Sequence, residues 1–297
     1  MWWRRRSVAA PPNQTALSRG ILQHANPDSW RDHLFGLSKS RWYRLKGRAF
    51  WVTGAGTGYG RAISLALAAA GAQTFITGRR IEKLEETKAE GRALGINVEF
   101  CHPVVADITS EAELARAIES IARHTGQLFG LINSAAVPQS NVSRYPLSEL
   151  SSECWRELIH TNVTAQWLTA KAAFPLLTLG DETRVLFLTS EAGWADTPGF
   201  GPYNISKSAL NTLGVSFAAE CKARFPEKDI QINVLVPGEA RTEMNQVSVI
   251  SPYSVVSMVL ALLSHPPGGP NGHFFHRDGR HLTFGYSDPY VGDILVS

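Results

Sequence analysis

Tyr203 and Lys207 stand four residues apart in YNISKSALNTLG, a spacing that puts both side chains on one face of a helix. An ammonium beside a phenol favours the phenolate, so the tyrosine is expected to titrate below its ordinary value of about 10. In that setting it can give or take a proton near neutral pH. Ser190 closes the apolar run of VLFLTSEAG, thirteen residues before Tyr203. A hydroxyl there can hydrogen-bond a substrate oxygen and stabilise charge developing on it. Asn162, in HTNVTAQWL, falls inside a helix, where its amide can hold a water next to Lys207. Taken singly, each has a plain structural use: Tyr-x-x-x-Lys is a common surface pair, and Ser190 can close a turn. Together they point to proton transfer at a carbonyl or an alcohol.

A second group of residues suits a phosphorylated partner. Gly54, Gly56, Gly58 and Gly60 lie in TGAGTGYG, directly after an apolar run and before a helical pattern. Glycine there lets the backbone approach a pyrophosphate, and a helix N-terminus supplies free N–H groups and positive dipole. The G-x-G-x-x-G spacing would need glycine at position 59, where Tyr59 sits; a P-loop would need Lys after Gly60, where Arg61 sits. The next apolar run ends in FITGRR. An NAD-binding sheet carries a carboxylate at that point to bond the ribose. Gly78 is followed instead by Arg79 and Arg80, and a guanidinium on a 2′-phosphate contributes about 1.5–3 kcal/mol. The expected cofactor is therefore NADP(H).

The surrounding pattern says what must position these groups. Short apolar runs at 48–54, 72–78, 96–107, 128–136, 183–189, 230–236 and 273–276 alternate with helical periodicity at 61–71, 81–95, 111–126, 155–177, 203–225 and 252–264. Such alternation predicts an α/β, doubly wound parallel sheet of about seven strands, with right-handed crossovers and helices on both faces. Ligands then bind beyond the carboxyl ends of the strands, which is where the singled-out residues fall.

The run Thr53 to Gly60, of form T-G-x-x-x-G-x-G, together with Ser190, Tyr203 and Lys207, resembles the short-chain dehydrogenase/reductase family over roughly residues 47–285. The resemblance implies a single-domain Rossmann fold and hydride exchange between a nicotinamide and a carbonyl or alcohol. Tyr203 would exchange the proton, Ser190 polarise the substrate oxygen, Lys207 tune Tyr203 and hold the nicotinamide ribose, and Asn162 connect a water chain to solvent. It adds Thr57, Tyr59, Asn133, Ala135 and Ala240 to the dinucleotide's surroundings. Asp107 would take the adenine amino group with Ile108 near the ring, and Pro237, Gly238 and Thr242 would hold the carboxamide. A dimer or tetramer through the helices at 155–177 and 203–225 is also implied.

Two departures stand out. Ala136 replaces the glycine that usually ends Asn-Asn-Ala-Gly, here Asn133, Ser134, Ala135 and Ala136; a left-handed backbone there would strain alanine. The segment after Thr242 is short where relatives carry a longer helical lid, which predicts an open pocket for a bulky or sugar-type substrate unless the C-terminal tail closes it. Trp194 and Phe200 are candidates to line it.

Composition narrows the remaining possibilities. The chain has 297 residues, 44% of them hydrophobic, with a formal charge of +3, the profile of a soluble globular protein. Residues 1–47 hold nine Lys/Arg against two Asp/Glu, leaving 20 against 24 over the rest. We therefore expect a basic extension at 1–46, a catalytic domain at 47–285 and a tail at 286–297. Trp30, Phe35, Trp42 and Tyr43 suggest that the later half of the extension packs on something. No apolar run is long enough to span a bilayer, and MWWRRRSVAAPP lacks the apolar core of a secretory signal. The absence of acids before Asp28 is one property of a mitochondrial presequence, without its amphipathic pattern; the expected location is the cytoplasm. Cys101, Cys154 and Cys221 fit neither a disulfide framework nor a metal pattern. The histidines at 265, 273, 276 and 281 have no ligand spacing, so no metal is expected, nor a nucleic-acid partner. The competing functions are a non-catalytic NADP-binding protein and a nucleotide-sugar dehydratase or epimerase on the same fold.

Overall fold

The first strand, β1 (Ala49–Thr53), is buried at all of its five positions, as a strand covered on both faces must be. Its neighbours explain why. In the computed structural model, which describes residues 24–138, 147–194 and 200–282, β1 lies between β2 (Gln73–Gly78) and β4 (Gly130–Asn133), parallel to both. The sheet continues through β3 (Cys101–Val105) beyond β2, and through β5 (Glu182–Leu188), β6 (Asp229–Val236) and β7 (Phe274–His276) beyond β4. The order is β3-β2-β1-β4-β5-β6-β7, all parallel, and a short antiparallel β8 (His281–Leu282) pairs with β7. The expected doubly wound sheet is the observed one. The order reverses between β1 and β4, opening a crevice beyond their carboxyl ends.

Two apolar layers flank the sheet. One holds α5 (Glu111–His124), α7 (Ala165–Leu177) and α8 (Gly201–Arg224), with Leu114, Ile121, Leu168 and Leu210 facing the strands. The other holds α3 (Gly58–Ala69), α4 (Ile81–Ala93) and α9 (Val256–Leu263), the last entered through a 3-10 turn, Pro252–Val255. Residues 24–46 lie on this second layer. Their helices α1 (Ser29–His33) and α2 (Lys39–Tyr43) bring Phe35, Trp42 and Leu45 into the same buried cluster as α3 and α9, with Trp30 against its edge. Tyr43 is 63% exposed. Arg44 bonds Glu182 at 2.7 Å, tying this segment to the start of β5.

The helix expected over 155–177 is two helices with a wider turn between. α6 (Ser152–Ile159), capped by Ser151, runs into a π turn, His160–Thr164, before α7. The extra residue rotates the faces of the two helices relative to each other, and Asn162 lies inside that turn.

Candidate active site

A cavity of about 1280 Å³ opens at the carboxyl ends of the strands. Its floor is the turn between β1 and α3. Gly54 has φ +65°, and a Cβ there would lie 2.7 Å from the backbone of Ala135; a Cβ on Gly60 would lie 2.2 Å from the Gly54 carbonyl oxygen. Only glycine lets these backbones approach so closely. Arg61 and Thr87 hold the turn from behind, donating to the carbonyls of Gly56 and Ala55. Thr57 starts α3 without a side-chain cap, so the free N–H groups of the helix face the cavity beside Gly56 and Gly58. This uncapped terminus fits an anionic group.

Arg79, Arg80, Asp107 and Ile108 line the same cavity at the ends of β2 and β3. Arg79 lies 3.9 Å from Asp107. Burial pushes the Asp107 carboxyl up, but hydrogen bonds from the Thr109 N–H and hydroxyl outweigh it and keep the acid below its usual range. Arg80 reaches across to Glu243 at 2.7 Å. The far wall is the segment after β6, with Pro237, Gly238, Ala240 and Thr242. Tyr59 donates its hydroxyl to the Gly238 carbonyl at 2.7 Å, pinning that wall to the glycine turn. Ala135 and Ala136 also line the cavity. Ala136 is not among the residues with positive φ, so the alanine is accommodated without the strain expected of it.

Ser190, Tyr203 and Lys207 meet in this cavity. Ser190 follows β5 and accepts a hydrogen bond from Ala192 N–H at 3.1 Å, which fixes its hydroxyl at the start of a 3-10 turn. The same hydroxyl is bonded to the Tyr203 phenol. Lys207, one helical turn on, is buried, with Nζ 3.4 Å from the Leu188 carbonyl and 5.6 Å from the centre of the Tyr203 ring. Burial lowers the ammonium to about 8. Burial also raises the phenol, and the Ser190 hydrogen bond only partly opposes it. The lowered phenol expected from the Tyr203–Lys207 spacing is thus reversed in the protein's own field: desolvation is the largest influence on it.

Three of the singled-out residues, Asn133, Asn162 and Trp194, lie outside the cavity lining. Asn133 ends β4 and is buried below it. Asn162 is fully buried, and its amide accepts from Val137 N–H at 2.9 Å and donates to the Val137 carbonyl at 3.0 Å and to Ser206 at 3.3 Å. These bonds tie the side chain to the backbone of Val137, which lines the cavity. Phe200 lines the cavity, whereas Trp194 packs edge-on against Phe274 at 5.7 Å. Most of the C-terminal tail, whose closing over the pocket would argue against the open pocket expected, lies outside the described residues. Among the described residues, no cluster of His, Cys, Asp and Glu is arranged to hold a metal, and no helix is long and apolar enough to cross a membrane.

The profile of the short chain dehydrogenase family matches residues 48–250. The chain belongs to the short chain dehydrogenase family. It is 31% identical over 205 residues to dehydrogenase/reductase SDR family member 4 of Mus musculus, covering 68% of this chain and 69% of that one. It is 28% identical over 204 residues to gluconate 5-dehydrogenase of Gluconobacter oxydans, covering 69% and 75%. Among solved structures, a putative short chain dehydrogenase from Pseudomonas syringae superposes with TM-score 0.72 at 26% identity over 79% of this chain and 96% of that one. A putative short chain dehydrogenase from Escherichia coli, complexed with NADPH, gives TM-score 0.70 at 23% identity over 80% and 98%. As a short chain dehydrogenase the chain is an oxidoreductase of a family that binds a nicotinamide cofactor.

Several residues at this dehydrogenase's cavity escaped the sequence reading. Glu191, Lys83 and Glu243 line it. Arg277 lies under the far wall, its Nη1 bonding the carbonyls of Pro237 and Glu239 at 3.2 and 2.6 Å and the Ser254 hydroxyl at 3.0 Å. Glu191 was recoverable from its place beside Ser190 at a strand end. Arg277 was not, because its role depends on β7 lying next to β6.

Proposed function

We propose that the chain is an NADP(H)-dependent oxidoreductase that interconverts a carbonyl and an alcohol. The observation that carries this reading is the Ser190–Tyr203 hydrogen bond in the same cavity as an uncapped helix terminus and two arginines. Arg79 and Arg80 favour a phosphate on the adenosine ribose, and the Escherichia coli neighbour was solved with NADPH. When bound, the dinucleotide supplies or accepts the hydride. The protein's part is proton transfer and orientation. A phenol held above its ordinary value is protonated at neutral pH, so Tyr203 Oη is ready to give its proton to a carbonyl oxygen. Ser190 Oγ polarises that oxygen. Lys207 Nζ, 3.4 Å from the Leu188 carbonyl and 5.6 Å from the centre of the phenol ring, supplies positive charge near the phenol and would hold the nicotinamide ribose. Asn162 binds the Val137 backbone, and so fixes the rim of the cavity beside Lys207.

The segment at 243–250 leaves Val247 and Val249 exposed beside the cavity, which supports a pocket open to a bulky substrate. Trp155, Trp167 and Ile205 are exposed on α6, α7 and α8 and support association of copies through those helices. The reading is tested by following NADPH oxidation across a panel of ketones and aldehydes. Tyr203→Phe is expected to lose at least about 100-fold in kcat while its NADPH affinity stays within a few-fold. Wild type and Tyr203→Phe behaving alike on every compound would favour a protein that only binds the dinucleotide. Turnover without net NADPH loss would favour the dehydratase or epimerase.

A further inference from the structure

The proton-transfer residues account for one side of Ser190. Next to it in the sequence, Glu191 begins a chain of four ionisable groups that ends in the cavity. Glu191 lines the cavity with its side chain 61% exposed, and its Oε1 lies 3.3 Å from Nε2 of His276. The His276 ring is only 9% exposed, and its Nδ1 lies 2.8 Å from Oδ1 of Asp278. Asp278 Oδ2 in turn accepts from Arg280 Nε at 2.8 Å. The pairing of β6 with β7 sets His276 opposite Val236, level with the residue before the Pro237–Gly238 wall.

A glutamate at a cavity mouth is ordinarily held by water alone, and a buried imidazole between two carboxylates is costly unless both of its N–H groups are used. Burial pulls the ring down, but Asp278 and Glu191 outweigh it and lift it above its ordinary value. Nδ1 faces Asp278, whose carboxylate lies 2.8 Å away and whose backbone N–H lies 3.3 Å away. Nε2 stands 3.3 Å from one oxygen of Glu191, and this pairing is the first cause that holds that carboxyl below its usual range. A carboxylate has about four acceptor positions, and among the described residues only His276 bonds this one. Of the arginines nearby, Arg280 bonds Asp278 and Arg277 spends its Nη1 on Pro237, Glu239 and Ser254. An oriented anion with free acceptor positions therefore stands one residue from the hydroxyl that polarises the substrate oxygen.

We propose that Glu191 is a substrate-orienting carboxylate that accepts a hydrogen bond from a hydroxyl or ammonium on the carbon next to the reacting one, with His276 and Asp278 as its positioning residues. This rests on the oxidoreductase reading above. It names the substrate class as α-hydroxy or α-amino carbonyl compounds, or the corresponding diols and amino alcohols. A charge-assisted hydrogen bond of this kind corresponds to a discrimination of tenfold or more.

The test follows NADPH oxidation by the full-length protein with acetophenone, 2-hydroxyacetophenone and 2-aminoacetophenone, comparing wild type with Glu191→Ala, Glu191→Gln and His276→Gln. The readout is the ratio of kcat/KM for each donor-bearing ketone to that for the parent. The ratio is internal to each protein, so a poorly folded fraction cancels, and comparison between proteins cancels the intrinsic reactivity of the ketones. Glu191→Ala is expected to lower both ratios at least tenfold. Glu191→Gln should keep part of the hydroxyl preference and lose the ammonium preference. His276→Gln should raise KM for the hydroxyketone several-fold more than for the parent, with little difference between their kcat changes. Equal ratios in wild type and Glu191→Ala, with the parent ketone turned over, would overturn the subsite and leave the oxidoreductase standing. No NADPH oxidation by wild type with any of the three would overturn the redox reading, and the subsite with it.

Discussion

At the scale of single residues, the acid–base pair is set by burial more than by its own spacing. Tyr203 is pushed up and Lys207 down to about 8 by the same loss of water, and each shift has a different consequence for pH. The phenol remains protonated through the neutral range, so it imposes no loss of proton donation there. The ammonium is the group that changes: it is cationic below about 8 and neutral above it. Carbonyl reduction is therefore expected to fall as pH rises through about 8, with the loss in kcat/KM, and Lys207→Met should be slow throughout with that limb gone. A pH–rate profile between pH 6 and 10 checks this; a wild-type rate that stays level to pH 9.5 would remove Lys207 from the proposed machinery. Ser190, Tyr203 and Lys207 were legible in the sequence because a strand end and one helical turn fix their relation. The partnership of Glu191 with His276 was not, since 85 residues separate them and only the placing of β5 and β7 on either side of β6 brings them near.

At the scale of elements, the β1–turn–α3 unit carries the dinucleotide reading, and its geometry is unforgiving at one point. A Cβ on Gly60 would meet the Gly54 carbonyl oxygen at 2.2 Å, whereas one on Gly126 would meet nothing within 4 Å. Backbone cannot swing away as a flexible side chain can. Gly60→Ala is expected to cost about 1–3 kcal/mol and to weaken NADPH binding at least tenfold, by pushing the turn into the space the phosphates need. Gly126→Ala should leave NADPH affinity unchanged. Fluorescence titration of both variants decides it, and equal affinities would mean that the turn does not approach the phosphates. The strand–turn–helix series was readable because buried strands and amphipathic helices have different periods. The π turn at Asn162 was not, because one extra residue in a helix barely changes the apolar spacing that a sequence displays. The partner of the Asn162 amide was hidden too, because Val137 lies in the loop after β4, 25 residues earlier.

At the scale of the whole molecule, the family match begins at residue 48, yet the buried layer over α3 and α9 begins earlier. Phe35 is 1% exposed, with ring centres 6.4 Å from Trp42 and 6.2 Å from Tyr253. Tyr253 donates to Glu90 at 2.8 Å, so this aromatic stack reaches α4, the helix that follows the two arginines. Leu34 and Phe35 both have φ +50°, a left-handed backbone that bulky residues adopt only under constraint. Each such residue costs about 1–3 kcal/mol, and what opposes that cost is the burial of the Phe35 ring. Removing the ring should thus release the strained turn as well as leave a cavity. Phe35→Ala is expected to destabilise the protein by about 3–5 kcal/mol, roughly 2–4 °C in Tm for each kcal/mol. Tyr43→Ala, at a side chain 63% exposed on the same segment, should stay within about 0.5 kcal/mol of wild type. Thermal unfolding of the two variants separates a segment that belongs to the core from one that merely rests on it. Similar, small shifts in both would place residues 24–46 outside the cooperative unit. A large shift for Phe35→Ala alone would make them part of the layer that supports α4 and the cavity wall above it.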